Sequence, residues 1–224
     1  MTCCMDLLWS FLMALSLHLS SLAMAIFIGL IGASAKLSGS RFFVTTSDAY
    51  TTLIRGVPDL VLMLLIFYGL QILINDVTDM FGFEQIDLNP LVAGILTLGF
   101  IYGAYFTETF RGAWQSVPKG QAGIAFGFSK AKIFRRIIFP VMMRYAIPGI
   151  GNNWQVLLKA TALVSLLGLE DIVKATQLAG KSTWQPFYFA IVCGAIYLFF
   201  STVSTVVLFL LERRFSVGVK KVTL

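Results

Sequence analysis

Charge is scarce in this sequence. Only 12% of its 224 residues are charged, and 58% are hydrophobic, with a mean hydropathy of +0.84. Soluble globular domains carry about 25% charged residues, and a water-soluble domain of this length could not bury so large an apolar fraction. The composition therefore excludes a soluble protein and predicts an integral membrane protein with one compact membrane domain.

Residues that bind metals or nucleotides are also scarce. The chain has one histidine, His18, and three cysteines, of which Cys3 and Cys4 are adjacent and Cys193 lies far along the chain. They cannot assemble a zinc site, and the phosphate-binding motif G-x-x-x-x-G-K-[ST] does not occur. We therefore expect no metal, no bound cofactor and no catalytic role in this chain. The alternative from another class, a membrane-embedded enzyme, would need catalytic carboxylates, a nucleophile cluster or metal ligands within its spans.

Long runs without charge predict the membrane spans, because about 20 apolar residues cross a 30 Å hydrocarbon core. Four such runs are clear. A fifth, weaker candidate is interrupted by Arg144, by Pro140 and Pro148, and by the adjacent Asn152 and Asn153. We expect an all-α polytopic membrane protein whose five helices span residues 9–31, 57–75, 88–110, 137–158 and 186–208.

The placement of lysine and arginine predicts the orientation, because basic loops stay in the cytoplasm. The segments after the first, third and last spans hold three, seven and four bases, 14 of the 17 in the chain, whereas the segment from Asp76 to Asp87 has four acids and no base. This orientation requires an odd number of spans, which supports the weak fourth one. It gives a periplasmic N-terminus (residues 1–8), a membrane domain (9–211) and a cytoplasmic tail (212–224). The basic excess is thus a topological signal, and we expect no nucleic-acid partner.

The sequence contains no visible internal repeat. Transport paths at a symmetric interface usually need matched halves. Five spans without a repeat therefore indicate that a second membrane subunit completes the path.

The loop between the third and fourth spans, residues 116–140, has an unusual composition. No acid occurs from Thr109 to Leu169. Pro118 favours a helix start, and Ser129 can cap a second short helix over residues 130–138. These elements carry apolar side chains but are too short to cross a membrane, so they predict either an interfacial amphipathic helix or a surface that docks on another protein.

The spacing of small residues in this loop resembles a known motif. Gln121-Ala122-Gly123, Gly127, Ile137 and Pro140 fit the spacing of E-A-A-x3-G-x9-I-x-L-P, the EAA loop of binding-protein-dependent ABC importer permeases. Gln121 stands for Glu, Gly123 for Ala and Phe139 for Leu. In that family the loop forms the coupling helix that sits in a groove of the cytoplasmic ATPase. We call residues 116–140 the coupling loop. The resemblance implies ATPase contacts for Gln121, Ala122, Gly123, Phe126, Gly127, Ile137 and Pro140, although Gln121 lacks the carboxylate of the motif.

Other segments narrow the resemblance to the polar amino acid permeases. The runs IRGVPDLVLMLLIFYG (54–69), AYFTETFRGAWQSVPKGQ (104–121) and NNWQVLLKATALVSLLGLEDIVKATQL (152–178) are similar to segments of these permeases. They look most like the Q-type subunits of importers for histidine, lysine, arginine and ornithine. Permeases for arginine and ornithine only, for opines or for another polar amino acid remain alternatives.

The resemblance implies the type I ABC importer permease fold and a set of partners in the bacterial inner membrane. These are a second homologous permease subunit, in a heterodimer rather than a homodimer, two copies of a cytoplasmic ATPase that binds ATP and Mg²⁺, and a periplasmic protein that binds basic amino acids. The chain itself would form half of the translocation path.

Polar residues in or near the spans are the remaining candidates. Glu108 with Arg111, and Asp59 with Arg55, are spaced to form structural charge pairs. Substrate-path roles are possible for residues near the end of the fourth span, where Glu170 and Asp171 could attract a cationic amino acid or cap the next short helix. The candidates for the path are Asn152, Asn153, Gln155, Glu170 and Asp171.

Overall fold

The computed structural model describes residues 2–118, 129–169 and 171–215, and every regular element within them is helical. Eight α-helices follow one another along the chain. A π-helical turn (Phe134–Ile138) precedes the sixth, and a 3-10 helix (Thr161–Leu167) follows it. The α-helices are α1 (Thr2–Leu37), α2 (Arg41–Gly56), α3 (Asp59–Met80), α4 (Pro90–Gln115), α5 (Lys130–Ile133), α6 (Phe139–Ala160), α7 (Ile172–Ser182) and α8 (Pro186–Phe215).

Four described helices are long and apolar enough to cross a membrane. They are α1 from Trp9 onward, α3, α4, and α8 as far as Arg214. These helices overlap four of the five predicted spans, although α3 and α4 each begin two residues later than predicted, at Asp59 and Pro90. The fourth predicted span, residues 137–158, does form a helix, α6, but it is not among the apolar ones. Four of the five predicted spans are thus supported by length and hydropathy, and α6 is not, because its arginine, lysine, asparagine and glutamine side chains lower its hydropathy.

Local sequence signals explain where several helices begin and end. The Asn89 side chain accepts a hydrogen bond from the Leu91 amide at 2.9 Å, and Pro90 occupies the first turn of α4, where its missing N–H has no partner to lose. The 3-10 helix ends at Gly168, whose φ of +98° is one that other residues rarely adopt. That turn directs the chain from α6 towards α7.

The core of the molecule is the contact between α1 and α4. A Cβ added at Gly29 would collide with the Cβ of Phe106, and one at Gly32 would collide with the Thr107 side chain. The two helices therefore approach almost backbone to backbone, as small residues allow in membrane helix pairs. Phe106 of α4, which Gly29 faces, is fully buried.

We predict that Gly29→Ala destabilises the protein by about 1–3 kcal/mol, because the added methyl meets the Phe106 backbone and forces α1 and α4 apart. Gly112→Ala is the matched control, since a Cβ at this α4 position meets nothing within 4 Å and should be neutral or slightly stabilising. Thermal unfolding of the purified assembled complex measures both. Equal midpoints for the two variants would contradict the close approach at Gly29.

Candidate functional site

The coupling loop is held at both of its ends by aromatic side chains. The ring of Trp114, in the last turn of α4, lies 6.2 Å from that of Phe134. The ring of Phe134 in turn lies 6.1 Å from that of Phe139 at the start of α6. All three side chains remain partly exposed. The chain therefore leaves α4 and returns to α6 at one place, and residues 119–128 lie between these two ends in sequence.

Five of the predicted coupling residues lie outside the described residues: Gln121, Ala122, Gly123, Phe126 and Gly127. The other two are described. Ile137 lies in the π-helical turn, and Pro140 lies in the first turn of α6.

The helix predicted over residues 130–138 is interrupted by the π-helical turn. Only α5 (Lys130–Ile133) is α-helical, and its first turn is closed by the Ser129 carbonyl, which accepts from the amides of Lys132 and Ile133. The Phe139 amide then bonds to the Phe134 carbonyl, five residues back. Pro140 explains the change, because it cannot donate to the carbonyl four residues earlier and its ring crowds that group. A wider turn relieves the crowding, and such π-turns are frequent at functional sites.

Glu108 lies at the centre of an ion-pair network. Its Oε2 accepts hydrogen bonds from Arg111 Nε at 2.9 Å and Arg111 Nη2 at 2.6 Å, so the two residues spaced for a pair are in contact. Its Oε1 accepts from Lys36 Nζ at 2.5 Å. Sequence reasoning missed Lys36, which lies 72 residues away on α1. No local spacing could have revealed this contact.

Asp59 is bound by tyrosines and not by Arg55. The hydroxyls of Tyr102 and Tyr105 donate to its two carboxylate oxygens at 2.9 and 3.3 Å. The Arg55 guanidinium lies over the Tyr105 ring, 5.6 Å from its centroid, and the described residues show no ion pair between Arg55 and Asp59. The pair predicted from the sequence is therefore not formed, because Asp59 at the start of α3 faces α4 and Arg55 stacks on a ring.

The amides of α6 hold it against its neighbours. Asn153 is buried and donates to Thr109 Oγ1 of α4 at 3.0 Å. Gln155 exchanges hydrogen bonds with α8, accepting from Ser201 Oγ at 3.0 Å and donating to Thr205 Oγ1 at 3.1 Å. Asn152 is exposed. Two of the three predicted path amides thus join helices, and Asn152 is free of such a contact among the described residues.

Asp171 caps α7, one of the two roles that the sequence left open. Its Oδ1 accepts from the Lys174 amide at 3.0 Å, and the side chain is 1% exposed. Burial raises the pKa of Asp171 to about 6, although hydrogen bonds from backbone amides of the first turn act in the opposite direction. Glu170, the other acid of the predicted pair, lies outside the described residues.

The sequence profile of the family described as "binding-protein-dependent transport system inner membrane component" matches residues 11–217. The chain belongs to this family. Its members are components of transport systems in the inner membrane, and the match includes the described helices from α1 to α8 and the coupling loop between α4 and α6.

Individual relatives are transport permease subunits. The histidine/lysine/arginine/ornithine transport system permease protein HisQ of Salmonella typhimurium is 71% identical over 215 residues, covering 95% of this chain and 94% of the relative. The arginine ABC transporter permease protein ArtQ of Haemophilus influenzae is 38% identical, covering 92% and 91%. A chain from the crystal structure of an amino acid ABC transporter with histidines superposes with a TM-score of 0.79 at 28% identity, covering 93% and 94%. The fold is therefore that of an ABC permease.

We predict a pH-dependent contribution of Asp171 to stability. Its folded-state pKa of about 6 lies above the ordinary value of 3.8, so between these values the folded protein binds more protons and its free energy of unfolding falls as the pH rises. Asp171→Asn keeps a capping oxygen and removes the titration. Between pH 4 and pH 6 the free energy of unfolding of the variant should therefore rise relative to that of the parent, by about 3 kcal/mol at most.

Thermal unfolding of the assembled complex across this pH range measures the difference. Asp76→Asn, at an exposed acid, is the matched control and should keep a constant offset from the parent. A constant offset for Asp171→Asn as well would contradict a buried, titrating carboxylate.

Proposed function

We propose that this chain is a membrane-spanning subunit of an ATP-driven, binding-protein-dependent importer of basic amino acids, namely histidine, lysine, arginine and ornithine. The observation that carries the proposal is the 71% identity to a permease of that name over nearly the whole of both chains. The four apolar helices are consistent with it, and so is the contact between the Trp114 and Phe134 rings at the ends of the coupling loop. The alternative is a narrower range, arginine with ornithine, and the observation behind it is the 38% identity to an arginine permease.

The coupling loop is the proposed contact with the cytoplasmic ATPase, through Gln121, Ala122, Gly123, Phe126, Gly127, Ile137 and Pro140. Two features of the described residues support this role. The Trp114–Phe134 contact brings the end of α4 and the approach to α6 together, so a force on the loop reaches both helices. Arg135 and Arg136 are exposed beside it, which places positive charge where the loop meets the aqueous phase.

We also propose that α6 crosses the membrane, giving five spans, a periplasmic N-terminus and a cytoplasmic C-terminus. A helix of 22 residues is about 33 Å long, which matches the hydrocarbon core. The buried amide of Asn153 and the amide of Gln155 are hydrogen-bonded to neighbouring helices. Those polar groups therefore do not face lipid unpaired, which is the condition for placing them in a membrane.

A second, homologous permease subunit completes the proposed path, and two ATPase copies that bind ATP and Mg²⁺ drive it. The surface of α3 supports a membrane partner, because its large side chains Leu65, Ile72 and Leu73 are all exposed. A periplasmic protein that binds basic amino acids delivers the ligand. Of the candidates for the path, Asn152, Asn153, Gln155, Glu170 and Asp171, the exposed Asn152 is the one proposed to meet a ligand. Asn153, Gln155 and Asp171 are hydrogen-bonded to groups of the protein itself.

The ligand range is tested by ATP hydrolysis in the assembled complex in lipid nanodiscs. Histidine, lysine, arginine and ornithine, each with the binding protein, should each raise the hydrolysis rate above that with the empty binding protein. Stimulation by arginine and ornithine alone would establish the narrower alternative. Hydrolysis and uptake that persist without the ATPase subunits would contradict an ABC importer altogether.

The ATPase contact is tested by crosslinking. In a background with Cys3, Cys4 and Cys193 replaced by serine, Ala122→Cys should crosslink to a cysteine in the ATPase groove within the assembled complex. Trp184→Cys is the matched control, because Trp184 is 91% exposed and lies in the turn before α8, on the opposite side in the proposed topology. A crosslink in Trp184→Cys, or no crosslink in Ala122→Cys, would contradict the assignment of the coupling loop.

A further inference from the structure

Lys36 is a buried cation at the junction of three helices. It lies in the last turn of α1, and its side chain is 6% exposed. Its Nζ lies 2.6 Å from Asp48 Oδ1 and 2.6 Å from Thr51 Oγ1, both on α2, and 2.5 Å from Glu108 Oε1 on α4. An ammonium group has three hydrogens to donate. The three acceptors therefore match all of them, one for each hydrogen.

The charges around Lys36 form a closed set. Two cations, Lys36 and Arg111, meet two carboxylates, Asp48 and Glu108, and each carboxylate lies within 2.6 Å of a cation. A buried charge is costly unless it is paired and hydrogen-bonded. Removing Lys36 would leave the Glu108 carboxylate with Arg111 alone, and would release Asp48, which is 57% exposed and can be hydrated.

The network points towards the coupling loop. Glu108 is bound by Arg111, and Arg111 Nη1 donates to Gln115 Oε1 at 3.1 Å, at the last residue of α4. A continuous polar chain therefore runs from α2 through Lys36 and Glu108 to the point where α4 leads into the loop. Lys36 is thus linked through hydrogen bonds to the end of α4 that leads into the coupling loop.

Other contacts give α1, α2 and α4 the stiffness that such a linkage needs. Ser47 Oγ of α2 donates to the Gly32 carbonyl of α1 at 3.1 Å, and Tyr50 OH of α2 donates to the Phe100 carbonyl of α4 at 2.5 Å. Gly32 itself packs directly on Thr107. Lys36 adds charge-assisted bonds at the cytoplasmic end of this unit, where geometry is most sensitive to the loop.

We propose that Lys36 is a positioning residue that makes α1 and α2 follow the α4 end when the ATPase moves the coupling loop. The proposal rests on the proposed function of this chain as an ATPase-coupled permease subunit. The described contacts of Lys36 are with Asp48, Thr51 and Glu108. Lys36 acts through Glu108. Loss of Lys36 therefore reduces the stimulation of ATP hydrolysis by the liganded binding protein, while basal ATP hydrolysis continues.

The test compares Lys36→Met and Lys36→Arg in the assembled complex in nanodiscs. With Lys36→Met we expect basal ATP hydrolysis within about twofold of the parent, while stimulation by the liganded binding protein falls about fivefold or more, the range typical of coupling between sites. Lys36→Arg keeps the charge and donors to both carboxylates and should restore most of the stimulation. Asp48→Asn is the matched control, because Asp48 belongs to the same network but is 57% exposed, so that water can take its place. This variant should keep most of the stimulation.

Each outcome decides the proposal. Parent-like stimulation in Lys36→Met would overturn it, and so would a parallel loss of basal and stimulated rates or a failure of Lys36→Arg to restore stimulation, since either marks a purely structural role. If Lys36→Met does not assemble, Glu108→Gln takes its place, with the same loss of stimulation expected and parent-like stimulation contradicting the proposal. The Ala122→Cys crosslink separates the two levels. If Ala122→Cys forms no crosslink when Lys36 is present, the proposed function is refuted. If the crosslink persists when Lys36→Met is added and stimulation is lost, the role of Lys36 is supported.

Discussion

The close approach of α1 and α4 is the contact on which the other arrangements depend. Because Gly29 and Gly32 have no side chains, α1 can lie against the backbone of α4 at Phe106 and Thr107. That distance lets the Lys36 side chain, one turn beyond Gly32, reach Glu108, one residue beyond Thr107. The same packing lets α2 contact both helices, since Ser47 donates to a carbonyl of α1 and Tyr50 donates to a carbonyl of α4. The ion-pair network is thus a consequence of helix packing and not an independent feature.

Pairing of polar groups explains the more polar half of the bundle. In a hydrocarbon environment an unpaired amide or carboxylate is expensive, and three such side chains meet partners on neighbouring helices. Asp59 receives two tyrosine hydroxyls, and Asn153 and Gln155 bond to α4 and α8. Within the described residues, α6 is therefore joined on one side to the α4 unit and on the other to α8.

Sequence reasoning reached the features that depend on composition and local order. Charge-free runs located α1, α3, α4 and α8, and three-residue spacing placed Arg111 beside Glu108, because both signals are contained within one helix. Contacts between different helices could not be predicted in this way. Asp59 was assigned to Arg55, four residues away, although its partners lie on α4, and the contact of Lys36 with Glu108 spans 72 residues. The sequence did not predict the π-turn before α6, because the chain remains helical from Lys130 into α6 and Pro140 falls within that continuous segment.

On the proposed topology, Lys36 has two roles at different times. The orientation rule counts lysines and arginines in short cytoplasmic loops and gives little weight to nearby acids. Lys36 therefore contributes to orientation while α1 is being inserted, before α4 exists to pair with it. After folding, the same ammonium is 6% exposed and neutralised by Asp48 and Glu108. A charge count from the sequence cannot separate these roles, which is why the basic excess predicts which side of the membrane Lys36 occupies but not which helices it joins.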